Sequence, residues 1–173
     1  GLESPAGFYD IGFLLSKGER QESAIRSLQR AVKHSDFALG ARLLLGQIQS
    51  KLGRVKDASI EYLEALRIAD SESIDPEYAE ELYQIYDPII EAFSQQSDQN
   101  IQTRLCENIE KMLVRNDWRE HVKHARQQLP PQATKSTPMA LAEILTEASS
   151  SQVVESLSKV HQFARAGRLR TAM

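Results

Sequence analysis

The sequence predicts an all-α chain built from short helices stacked in antiparallel pairs, with a helical appendage at the C-terminal end. Three observations carry this. Ala, Leu, Glu, Gln, Arg and Ser dominate, while runs of β-branched residues are scarce, which favours helix over strand. The apolar residues recur at helical spacing along most of the chain. The chain also resembles itself at a shift of 34 residues, and a repeated supersecondary unit is the signature of an α-solenoid.

The shift places Gly12 on Gly46, Ser16 on Ser50, Lys17 on Lys51 and Arg20 on Arg54. Ala24 then falls on Ala58, Ala31 on Ala65 and Asp36 on Asp70, with Ile11 opposite Leu45 and Leu28 opposite Tyr62. Small residues recur where two helices must approach closely. In the first unit Phe8, Ile11 and Leu15 form one stripe, followed after Gly18 by Ala24, Ile25, Leu28 and Ala31. In the second, Leu44, Leu45 and Ile48 lead into Leu52-Gly53, then Ala58, Tyr62, Ala65 and Leu66. Each unit therefore reads as two helices around a turn whose glycine suits a helix C-terminus.

From Phe8 to Leu28 the pattern is F-x2-I-G-x2-L…A-x3-L, and from Arg42 to Tyr62 it is R-x2-L-G-x2-Q…A-x3-Y. At this period the pattern resembles the tetratricopeptide repeat family. Arg42 and Gln49 stand at large aromatic positions of that pattern, and Asp36 and Asp70 at its closing proline. The resemblance implies a right-handed superhelix with repeats over about 5–38 and 39–72, whose concave groove binds a peptide or helix of a partner protein. Tyr9, Phe13, Ser16 and Lys17 in the first unit, and Leu43, Gln47, Ser50 and Lys51 in the second, are the groove positions it implies. Tyr9, Phe13 and Leu43 equally suit packing against a neighbouring segment. In the subclass that clamps a chaperone's C-terminal carboxylate, a Lys precedes and an Asn follows the helix glycine. Tyr9, Phe13 and Gln47 occupy those places here, so an apolar or amphipathic ligand is expected instead.

Beyond Asp70 the strict period is lost. Asp75 and Pro76 open a helix with Tyr78, Leu82, Ile85, Ile89 and Phe93 on one stripe, and Pro88 within it is expected to kink or break it. Asp98 caps a helix carrying Ile101, Leu105, Ile109 and Met112. Asp117 caps another with Trp118, Val122, Ala125 and Leu129. Residues 73–129 thus read as a degenerate third repeat and a capping helix, completing a domain over 1–129. Pro130 to Pro138 reads as a linker. Helices over about 139–149 and 152–166 follow. The second ends in RAGRLRTA, which repeats the pattern of KLGRVKDA at Lys51–Ala58, so a truncated repeat is expected at the end of 139–173. Its unpaired apolar face suggests a homodimer through the C-terminal helices.

No catalytic residue, cofactor site or metal site emerges. Nucleotide-binding glycine loops are missing, and His121 and His124 stand three apart rather than at the four of a zincin helix, so a polar face is the simpler reading. A net charge of −3 offers no basic face for nucleic acid. No apolar run approaches the length of a membrane span. The one cysteine, Cys106, fits a small buried hydrophobe in a reducing, cytoplasmic setting. The expectation is a non-catalytic scaffold or adaptor. The alternative is a regulatory or sensor segment that transmits partner binding to a fused effector domain.

Overall fold

The computed structural model describes residues 5–16, 20–129 and 131–140. Among these the chain is all-helical, with no strand. The helices are α1 (Pro5–Ser16), α2 (Gln21–Ala31), α3 (Ser35–Lys51), α4 (Val55–Glu72), α5 (Pro76–Ser94), α6 (Gln99–Leu113) and α7 (Trp118–Gln127). The expected turn at 17–20 lies mostly outside the described residues. So do the C-terminal helices, the turn at 165–168 and the dimer face.

The turn between α3 and α4 shows how local sequence sets the path. Gly53 has φ +76°, a conformation costly for a residue with a Cβ. Its N–H donates to the Ser50 carbonyl at 3.0 Å, and the Arg54 N–H donates to the Gln49 carbonyl at 2.9 Å. This paired arrangement satisfies carbonyls that the end of α3 would leave open. With so short a connection α4 must run back along α3, and the two pack extensively.

Among the described residues two hydrophobic cores result. The smaller joins Ala24, Ile25, Leu28 and Ala31 of α2 to Ala41, Leu45 and Ile48 of α3, with Phe8 and Tyr9 of α1 against them. The larger is centred on α4 and gathers Leu82, Tyr86, Ile89 and Phe93 of α5, Leu105, Cys106 and Ile109 of α6, and Val122 of α7. Helix α4 is thus shared: α5 and α6 both pack on it, and α6 also reaches α3.

Pro88 does not break α5, which continues to Ser94. A proline inside a helix loses one backbone hydrogen bond. The buried stripe of Leu82, Tyr86, Ile89 and Phe93, on both sides of it, holds the helix together. Asp98 caps α6 as its position predicts, its carboxylate accepting from the N–H groups of Asn100 and Ile101. Asp75 and Asp117 occupy N-cap positions without such bonds. The Asp117 carboxylate is bonded to Arg115 at 2.6 Å instead.

Residues 131–139, after α7, form turns and irregular backbone and lie against the helices. Ser136, Pro138, Met139 and Ala140 are buried, the last two completely.

Candidate binding face

Apart from Lys17, the expected groove positions lie on α1 and α3, and α3 also touches α6. Tyr9, on α1, is half-buried and lies over Gly40 of α3. A Cβ at Gly40 would stand only 3.2 Å from the Tyr9 ring, so the glycine makes room for it. The Phe37 ring, 6.0 Å away centre to centre, flanks the same contact. Tyr9 therefore seats α1 on α3. Burial, with the Asp10 carboxylate adding to it, raises its phenol above the usual range, so Tyr9 is a neutral packing residue at physiological pH.

Leu43 and Gln47 stand one turn apart on α3 and meet the larger core and α6. Leu43 is half-buried and packs against that core. The Gln47 side-chain amide donates to Glu110 Oε1 at 3.3 Å, and the Tyr62 hydroxyl donates to Glu110 Oε2 at 3.1 Å. One carboxylate thus ties α3, α4 and α6 together. Burial raises the Tyr62 phenol strongly, and the Glu110 carboxylate adds to this, so Tyr62 remains a donor. Behind Gln47, a Cβ at Gly46 would fall 2.8 Å from the Tyr62 ring, which explains the glycine.

Phe13 is 41% exposed, a large aromatic surface for a small domain. Ser50 and Lys51, at the last turn of α3, are also exposed. Lys17 and the Ser16 side chain lie outside the described residues. Of the eight expected positions, then, Leu43 and Gln47 are engaged with the body, Tyr9 holds α1 to α3, and Phe13, Ser50 and Lys51 reach solvent.

No protein-family model, curated protein or solved structure matches this chain.

Chemistry is sparse on this face and elsewhere. His121 Nε2 lies 3.3 Å from Asp117 Oδ2, one turn away, and His124 is exposed. Among the described residues no group of three or more His, Cys, Asp or Glu is arranged to hold a metal. Burial, and then the Glu110 charge, pushes the Cys106 thiol up to about 12, far from a reactive thiolate. No helix among the described residues is long and apolar enough to cross a membrane.

Three residues important to the architecture escaped sequence reasoning: Glu110, Asp70 and Arg126. Asp70 is fully buried and accepts from Arg126 at 2.6 Å and from the Tyr86 hydroxyl at 2.7 Å. A faint signal existed, since Asp70 directly follows the apolar stripe of Leu63, Leu66 and Ala69, where a carboxylate needs partners.

Proposed function

We propose that this chain is a non-catalytic protein-interaction module of the tetratricopeptide type, binding a peptide or helix of a partner protein across the exposed surface of α1 and α3. The observation that carries the reading is the likeness of positions 34 residues apart. Arg20 and Arg54 have nearly the same backbone, φ −93° and ψ 55° against φ −90° and ψ 67°, and each stands immediately before a helix. Four residues on, Ala24 and Ala58 are both fully buried and bond back to those arginine carbonyls at 3.0 and 2.9 Å. Leu28 and Tyr62, then Ala31 and Ala65, repeat the match at zero exposure. Two units with the same entry, the same small contacts and the same buried ridge support a stacked-repeat solenoid. Such a stack presents the first helix of each unit to a ligand, and Phe13 supplies an aromatic anchor there. The buried thiol of Cys106 suits a reducing compartment such as the cytoplasm.

Selection of helical peptides from a displayed library against the purified chain tests this. Binders should lose about tenfold in affinity on Phe13→Ala, the order of a moderate hot spot, and should also weaken on Leu43→Ala. His121→Ala should leave them unchanged. Peptides insensitive to Phe13 and Leu43 but lost on His121→Ala would move the site to the C-terminal helices.

A further inference from the structure

On the far side of α4 lies a second surface, already filled by the chain itself. We infer that the cleft between α4, α5 and α7 is a peptide-binding site for a basic-x-x-Pro-Met-Ala segment of a partner protein, occupied in this structure by residues 135–140. The evidence is how the strap is held. Its main chain is read by side chains from three helices. Arg126 of α7 donates to the carbonyls of Thr137 and Lys135, both at 3.0 Å. Asp70 of α4 accepts the Met139 N–H at 2.7 Å. The Tyr86 hydroxyl of α5, which donates to Asp70, accepts the Ala140 N–H at 3.3 Å. Two carbonyls and two N–H groups of one short segment are thereby paired by side chains.

Packing alone does not call for an ion pair here, since replacing a buried one by hydrophobic residues is often neutral or stabilising. Here the ion pair between Arg126 and the fully buried Asp70 is kept, and its spare valences point at a main chain. Beside this polar floor, Met139 and Ala140 sit in a fully buried apolar seat. Pro138 has no N–H to satisfy, so it fits between the clamped Thr137 carbonyl and the clamped Met139 N–H. At the other end Lys135 lies 4.0 Å from Asp75 and over the Tyr78 ring at 5.2 Å, which fixes the direction of the segment. Main-chain contacts supply affinity, and the Lys, Pro, Met and Ala positions supply selection. Because the strap is tethered, it occupies the cleft at an effective concentration of order millimolar. A partner segment must therefore compete with it.

The test uses the full 173-residue chain and an end-blocked, fluorescein-labelled peptide of the sequence Ala133–Ala140. Met139→Glu should eject the strap, and Met139→Ala should weaken it; circular dichroism reports whether each variant folds. The folded variant should bind the peptide saturably, as a one-to-one complex, at least about tenfold tighter than the wild type, whose cleft is filled. A peptide carrying Glu in place of Met should not bind. Equal binding by wild type and a folded variant, or no preference for Met in the peptide, overturns the inference. Wild-type chains that exchange straps to form dimers without binding the peptide would assign the cleft to a second copy instead. If both variants fail to fold, the strap is an inseparable part of the core and the inference falls.

Discussion

Helices α2 and α4 begin alike and end differently. From Arg20 and Arg54 to Ala31 and Ala65 they match in backbone entry and in the full burial of Ala24 and Ala58, Leu28 and Tyr62, and Ala31 and Ala65. Helix α2 stops at Ala31, where the next residues, Val32, Lys33 and His34, form a partly polar turn. Helix α4 continues past Ala65 to Glu72, because Leu66, Ile68 and Ala69 extend the apolar pattern. The two aspartates that align in sequence therefore part company. Asp36 is exposed in the first turn of α3, where a carboxylate suits the helix dipole. Asp70 is buried near the end of α4 and holds α7, α5 and the strap. Sequence periodicity reports local structure only as far as the residues that follow permit it. The extra turns of α4 carry Asp70, which meets α5, α7 and the strap.

The comparison is most easily broken at those aspartates. Asp70→Ala removes one partner of a buried ion pair and leaves Arg126 uncompensated, a loss of about 3–5 kcal/mol. Asp36→Ala should fall within about 0.5 kcal/mol of wild type. Urea unfolding measures both, and similar losses would mean that Asp70 is not the hub described here.

Smaller effects should sharpen the likeness of the two units. Ala24→Leu and Ala58→Leu each force methylenes into a fully buried contact and should cost about 1–3 kcal/mol. Gly46→Ala should fall in the same range, since the Tyr62 ring it would strike is held by Glu110. Thermal melts check all three. A tolerated Ala24→Leu beside a damaging Ala58→Leu would show that only the second unit is tightly packed.

The last effect is a pH dependence centred on the larger core. The folded Cys106 thiol is raised from about 9 to about 12, so the folded state holds a proton that the unfolded chain releases. Its contribution is complete below pH about 9 and is lost as the pH climbs toward 12. The raised Tyr62 and Tyr86 phenols act in the same direction. Cys106→Ala should therefore flatten the fall of the urea midpoint between pH 9 and 11. An unchanged slope would place the effect on the tyrosines alone.

Much of this was legible in the residues, and what was not has a common cause. The helical stripes, the alanine contacts and the caps at Gly53 and Asp98 depend on neighbours within a turn or two. The place of α6, packed on α4 and α3 across the whole of α5, depends on contacts between distant residues. So do the link from Tyr62 and Gln47 to Glu110 and the capture of Met139 by Asp70. Proline and polar residues suggest a linker at 130–138, but they carry no information on what residues 131–138 lie against. Among the groove positions, spacing identified a face and could not tell Tyr9, which packs on Gly40, from Phe13, which reaches solvent.

The claim that Asp70 clasps the strap to α4 is tested most directly by amide hydrogen exchange at Met139 and Ala140. Bonded to Asp70 and Tyr86 in a fully buried seat, both amides should exchange as slowly as those in the middle of α4. In Asp70→Ala they should exchange far faster, while the Ala24 amide in α2 keeps its protection. Met139 and Ala140 amides that exchange in the wild type as fast as those of an exposed loop would contradict the account.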